Sequence, residues 1–172
     1  MKTALLVIDV QNSLMDANPY QSTIFLDKLK KNIRLAREYD IEVIYVRHNS
    51  QEFEKGTRAW EIVPSIAPLK TDIIIDKTYN SAFKETNLDQ YLTDNKISRL
   101  VLTGMLTNYC IDTTVKVAFE LNYKVCVIEG GSTTFNDEHI AAADLIEHYE
   151  NIWADNFALV DCFENIIKEN QT

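Results

Sequence analysis

The sequence predicts an α/β fold, a single domain arranged as a three-layer sandwich around a six-stranded, mainly parallel sheet in the order 3-2-1-4-5-6. Two observations carry this. Six short, largely apolar runs, at residues 3–8, 41–46, 71–75, 99–103, 124–128 and 154–160, are mostly rich in β-branched side chains. They lack the alternation of a half-exposed strand, so they read as strands covered on both faces. The stretches between them carry apolar residues at helical spacing, and strands alternating with helices imply right-handed crossovers with helices on both sides of the sheet. The 172 residues, 46% hydrophobic and 25% charged, suit one domain over residues 1–172 with an ample core. In this order strands one and four are neighbours at the point where the winding reverses, the place where such sheets bind ligands.

Taken in order, residues 3–8 form a buried strand that stops at Asp9. Residues 22–39 place Ile24, Phe25, Leu29, Ile33 and Ala36 among lysines and arginines, the pattern of an amphipathic crossover helix. Residues 41–46 are the second strand. Residues 47–70 contain Gly56, Pro64 and Pro68 and no periodic run, and a connection of that length serves as a lid or pocket wall. Residues 71–75 are the third strand, with Asp76 and Lys77 at its carboxyl end. A polar and aromatic loop over 79–83 leads to a short helix over 87–95, capped near Thr86 or Asn87. The fourth strand, 99–103, is closed by Gly104. From Thr107 onward Ile111, Val115, Ala118, Phe119 and Leu121 mark a helix that Thr107 or Asn108 can cap. Residues 124–128 form the fifth strand, with Gly130 and Gly131 as its exit loop. A helix over 137–150 turns Ile140, Ala143, Leu145 and Ile146 to the core, residues 154–160 are the last strand, and 162–169 the terminal helix.

The formal charge of -9 disfavours nucleic acid and anionic membrane surfaces as partners and leaves small neutral or cationic ligands open. Three cysteines without a CxxC pair argue against a disulfide framework and against a zinc site. Asp9 interrupts the opening apolar run too early for a signal peptide, and no later run approaches a membrane span, so a soluble, cytoplasmic protein is expected. No GxGxxG follows a strand and there is no Walker loop, which excludes the common nucleotide sites.

Three residues qualify for chemistry because the topology delivers them to one sheet edge. Asp9 ends strand one, Lys77 follows strand three, and Cys110 lies in the first turn of the helix after strand four. Each has an ordinary alternative: Asp9 as a turn former, Lys77 as a surface lysine, Cys110 as a small buried hydrophobe. A thiol at a helix start feels the positive end of the helix dipole, and its pKa is expected to fall from about 8.5 towards about 7.

With Asp9 in LLVIDVQNSL, Lys77 in DKTYNSAFKETNL and Cys110 in LTGMLTNYCIDTTVKVAFELNYKV, the chain resembles the isochorismatase-like cysteine hydrolases from about residue 3 to about residue 161. The resemblance implies a Rossmann-like sheet and a homodimer or larger homo-oligomer. It also implies a triad in which Asp9 is the general base and acid, Lys77 the cation beside it and Cys110 the nucleophile. It further implies a non-proline cis peptide at Leu106-Thr107 and an oxyanion hole made by the amides of Leu106 and Cys110. The reaction expected is hydrolysis of a small amide through a thioester, with no cofactor. A vinyl ether hydrolase, a nicotinamidase and a non-enzymatic binding protein are the alternatives. Leu14, Trp60, Tyr79, Phe83 and Tyr109 are candidates to line a substrate pocket.

The metal-binding nicotinamidases carry an Asp-x-His element after the second strand, where this chain reads YVRHNSQEFEKG with His48 alone. His139 and His148 fall on opposite faces of the expected helix over 137–150, so no three-ligand metal site is expected.

Overall fold

The computed structural model describes residues 1–169; residues 170–172 of the expected domain lie outside the described residues. Its centre is a six-stranded parallel sheet in the order β3-β2-β1-β4-β5-β6, as expected. The strands are β1 (Lys2–Ile8), β2 (Glu42–His48), β3 (Ile73–Lys77), β4 (Ile97–Met105), β5 (Lys124–Thr133) and β6 (Leu159–Asp161). The helices are α1 (Asn12–Asp16), α2 (Ser22–Glu38), α3 (Leu88–Asp94), α4 (Asp112–Glu120), α5 (Ala142–Asn156) and α6 (Phe163–Lys168). No helix among the described residues is long and apolar enough to cross a membrane.

Each central strand sends alternate side chains to opposite layers, and both layers are apolar. Leu5 and Val7 of β1 meet Phe25, Leu29, Ile33 and Ala36 of α2 and Phe163 and Ile166 of α6. Ala4, Leu6 and Ile8 meet Leu88 and Leu92 of α3, Val115 and Ala118 of α4, and Trp153 of α5. This two-sided burial is the physical reason that β1 reads as an unbroken apolar run. Fully burying one such aliphatic side chain contributes about 1.5–3 kcal/mol relative to leaving it exposed, so β1 anchors both layers.

Several boundaries differ from the sequence reading, and each difference has a cause in hydrogen bonding. Strand β3 begins two residues later than expected and includes Lys77, whose main chain pairs in register with His48. Strand β4 does not end at Gly104 but continues to Met105. The Gly130-Gly131 segment is likewise no exit loop. Leu102 pairs with Val127 and Gly104 with Ser132, so β5 bulges outward through 129–131 and then rejoins β4. Helix α5 begins at Ala142 rather than residue 137. The Asn136 side-chain oxygen accepts the Ala142 amide and Asp137 accepts the His139 amide, so residues 137–141 fold as a turn. Ile140 is therefore exposed instead of core-facing, and His139 lies off the helix that carries His148. Residues 154–156 belong to the end of α5, which leaves β6 only three residues long. Helix α1, a single short turn that starts in the polar stretch after Asp9, is too brief for apolar periodicity to announce it.

Gly104 sets the spacing at the centre of the sheet. Its φ is +133°, and a Cβ there would stand 2.1 Å from the main-chain oxygen of Ile8. Only glycine lets β4 press this closely on the last residue of β1, immediately before Asp9. We expect Gly104→Ala to lower stability by about 3 kcal/mol, read as a fall in the urea midpoint. An unchanged midpoint would show that the two strands can separate without penalty.

Candidate active site

Four strand ends deliver the site. Asp9 follows β1, His48 ends β2, Lys77 ends β3, and Cys110 lies in the turn after β4. Asp9 leaves its strand in the left-handed region, with φ 55°, a conformation uncommon outside glycine and asparagine and found at functional sites. Lys77 and Asp9 are each 1% exposed. The Lys77 ammonium donates to Asp9 Oδ2 at 2.7 Å, to His48 Nδ1 at 3.0 Å and to the Tyr79 main-chain oxygen at 3.1 Å, and it lies 3.3 Å from Cys110 Sγ. An ammonium has three hydrogens, so the first three contacts account for them and the sulfur waits as a fourth partner.

The other carboxylate oxygen, Asp9 Oδ1, is buried and has no hydrogen-bond partner among the described residues. A carboxylate oxygen of Asp9, a ring nitrogen of His48 and Cys110 Sγ all lie within 4.8 Å of one another. Cys110 also sits 3.8 Å from Asn80 Oδ1, a long and weak contact. One acceptor oxygen is thus left unsatisfied beside one thiol.

Burial pushes the Asp9 carboxyl above its ordinary range, and the adjacent Lys77 opposes that rise. The Cys110 thiol is pushed up to about 12, by burial first and the nearby Asp9 charge second, with Lys77 acting the other way. The sequence had indicated a lowered thiol pKa from the helix start. Desolvation and a neighbouring carboxylate outweigh a terminus whose effect is at most about 2 kcal/mol. Cys110 therefore rests as a neutral thiol. His48 is held below the usual histidine range by burial and by the Lys77 charge, so its ring is neutral at pH 7.

The turn that carries Cys110 is wider than an α-helical turn. Residues Thr107–Ile111 form a π-helical turn in which the Ile111 amide returns to Leu106 O, and α4 begins only at Asp112. Thr107 and Asn108 were candidate caps, yet neither caps: the Thr107 hydroxyl pairs with Ser132 Oγ at 2.9 Å, and Asn108 Oδ1 accepts the Thr134 hydroxyl at 2.6 Å. Both tie the turn to the rejoined end of β5. The non-proline cis peptide is Met105-Leu106, one bond earlier than the Leu106-Thr107 position expected.

A cavity of about 150 Å³ opens above the sulfur, lined by Asp9, Leu14, His48, Phe53, Asn80, Leu106, Tyr109 and Cys110. Of the pocket residues anticipated from sequence, Leu14 and Tyr109 line it. Trp60, Tyr79 and Phe83 do not. The Trp60 ring lies beneath the Arg47 guanidinium at 3.3 Å, and its indole N–H is taken by Asn49. Phe83 stacks on Tyr123 at 5.8 Å, and the exposed Tyr79 ring lies under the Lys84 ammonium at 3.9 Å. The sequence reading missed Phe53, Asn80 and the place of His48 within the site. It also missed Gln11, a fully buried clamp. Gln11 Nε2 donates to His48 O at 3.0 Å and to Trp60 O at 2.7 Å, while its side-chain oxygen accepts the His48 amide at 2.8 Å. A glutamine in a polar turn carried no signal of that role.

Asp9, His48 and Cys110 have the spacing of a metal ligand set, which the three-histidine argument from sequence did not consider. Lys77 Nζ already lies against all three side chains and supplies the positive charge there. If the ammonium is removed, the Asp9 charge is left buried and unpaired. We expect Lys77→Met to cost about 3–5 kcal/mol at pH 7. Without Lys77 the folded-state pKa of Asp9 rises further above its unfolded value, so the variant holds its proton to higher pH than wild type. The deficit relative to wild type therefore shrinks as pH falls and grows as pH rises, which paired denaturation curves at pH 5 and pH 8 measure.

Comparison with known proteins agrees with this arrangement of strands. The family model described as Isochorismatase domain matches residues 3–154. An isochorismatase family protein of Bacillus subtilis (strain 168), YddQ, is 30% identical over 98% of this chain and 100% of its own length. The ureidoacrylate amidohydrolase RutB of Agrobacterium fabrum (strain C58) is 26% identical over 83% of this chain and 80% of its own. The crystal structure of an isochorismatase family protein superposes with a TM-score of 0.88 at 32% identity, covering 92% of this chain and 96% of the other. A model matched along most of the chain, a full-length relative and a shared three-dimensional arrangement together place this protein in the isochorismatase family.

Proposed function

We propose that the protein is a cysteine hydrolase that cleaves a non-peptide C–N bond in a small amide, with Asp9, Lys77 and Cys110 as its triad. The observation that carries this reading is the orphaned Asp9 Oδ1 beside a neutral, buried thiol, with Oδ2 pinned by Lys77. A base oxygen with no other partner is suited to take the thiol proton as sulfur attacks. Similarity to a ureidoacrylate amidohydrolase supports the same reaction class.

The steps balance without a cofactor. As the C–S bond forms, the thiol proton passes to Asp9 and the carbonyl becomes an oxyanion, which the amides of Leu106 and Cys110 receive. Collapse breaks the C–N bond, and the leaving nitrogen takes the proton from Asp9 and departs as ammonia or an amine. Asp9 then accepts a proton from water as the water oxygen attacks the thioester. Collapse breaks the C–S bond, the acid leaves, and the proton returns to the sulfur. Lys77 supplies its fourth contact to the sulfur at 3.3 Å while charge develops there. A vinyl ether hydrolase would have no use for this thiol. The small cavity, well below the usual 300–1,000 Å³ of ligand sites, favours a substrate of few atoms. A homodimer or larger homo-oligomer and a cytoplasmic location are carried over as part of the proposal.

Ammonia release from a panel of small amides tests the reaction. Cys110→Ala is expected to abolish it, and Asp9→Asn to lower kcat by about 10²–10⁴-fold, with an acyl adduct on Cys110 visible by mass spectrometry of quenched wild type. Turnover by Cys110→Ala at the wild-type rate would reject the mechanism. Because Asp9 must be ionised and its pKa is raised, activity is expected to rise with pH along a limb above the ordinary aspartate value of ~3.9. On the alkaline side the thiol, at about 12, sets no nearer limit.

Activity is also expected to survive dialysis against a strong chelator, because Lys77 and the backbone amides hold the charges a metal would otherwise hold. Loss of activity that zinc, manganese or iron restores would overturn this and favour a metal-dependent reaction.

A further inference from the structure

The triad has work for three side chains, yet a fourth, His48, stands in contact with Lys77 and lines the same cavity. The ammonium can only donate, so His48 Nδ1 must accept at 3.0 Å. In a neutral ring the proton is then on Nε2. That nitrogen has no protein partner among the hydrogen bonds of the described residues, and it is not among the buried unsatisfied atoms. It is an accessible donor on a ring that walls the cavity. Gln11 holds the main chain of His48 from both sides, through its carbonyl at 3.0 Å and its amide at 2.8 Å, and Phe53 meets the ring edge-on at 5.8 Å. The ring is therefore fixed in both position and tautomer.

We infer that His48 is a specificity-determining residue whose Nε2–H hydrogen-bonds an uncharged acceptor on the substrate, a carbonyl oxygen or ring nitrogen beyond the scissile carbonyl. The charges in the site select against a carboxylate in that place. Lys77 is matched by Asp9, the remaining lining is apolar or neutral, and no further cation lines the cavity among the described residues. A carboxylate would meet Asp9 without a free cation to balance it. The substrate class is thus a small amide with a second, neutral acceptor. This rests on the amidohydrolase reading for its chemistry, while the tautomer and the donor stand on geometry alone.

The test uses three probes of similar size: malonamide, with a second neutral carbonyl; butyramide, without one; and malonamate, with a carboxylate. Nitrogen-15 NMR of the labelled wild-type chain at pH 7 is expected to show a neutral His48 with the proton on Nε2. Titration of Cys110→Ala, which leaves the probe uncleaved, is expected to shift that nitrogen with malonamide but not with butyramide or malonamate. In kinetics, His48→Phe also takes an acceptor from Lys77 and so slows both reactions, and the readout is the ratio of KM for malonamide to KM for butyramide, which should rise about five- to tenfold; His48→Gln, which keeps an N–H donor, should recover part of that rise. A proton on Nδ1, a charged ring at pH 7, or equal shifts with malonamide and butyramide would overturn the inference. If His48→Phe does not fold, the NMR result decides. Failure of the two proposals is separable: malonamide that shifts Nε2 but is never hydrolysed by wild type rejects the hydrolase reading and keeps the donor, whereas hydrolysis without the shift rejects the donor alone.

Discussion

The ion pair between Lys77 and Asp9 is the constraint on which the rest of the site depends. Two opposite charges lie almost wholly out of water, and moving such ions from solvent costs several kcal/mol each unless geometry compensates. Compensation comes from placement: the ammonium meets a carboxylate from the end of β1, an imidazole from the end of β2 and a carbonyl just beyond β3. None of these partners is near another in sequence. A parallel sheet is the arrangement that brings successive strand ends to one edge, so the fold is what makes the burial of this pair tolerable.

That edge is also shaped by what the strands do beyond their expected ends. β4 passes through Gly104 against Ile8, and β5 rejoins it after its bulge at Ser132 and Thr133. The turn carrying Cys110 hangs from this added pairing through Thr107 and Asn108. The thiol is consequently held buried and beside Asp9 rather than at the free mouth of a helix. This is why its environment raises the pKa instead of lowering it, and why, in the proposed reaction, proton transfer to Asp9 accompanies attack.

The sheet order and the meeting of Asp9, Lys77 and Cys110 were legible in the sequence because both follow from apolar runs and the position of one residue relative to each run. Strand lengths were less so, since Gly104, Gly130 and Gly131 look like terminators locally and become strand residues only through pairing with a distant partner. The start of α5 was displaced because Asn136, six residues before Ala142, caps it across a turn. Aromatic residues were the poorest guides. Trp60 and Phe83 are sticky in any context, and only packing against Arg47 and Tyr123 shows that they are already engaged. Gln11 and Asn80 act through amide groups whose partners are thirty or more residues away, and no local pattern encodes that.

The third hydrogen of the Lys77 ammonium goes to the main-chain oxygen of Tyr79, not to its side chain. Every amino acid carries that oxygen, so position 79 serves the charged centre by its path through space and not by its identity. Its ring, outside and beneath Lys84, is free to be replaced without the ammonium losing a partner. A relative with a different residue at this position would hold the same lysine in the same way. Differences there carry information about the outer surface of a protein and none about the chemistry beneath it.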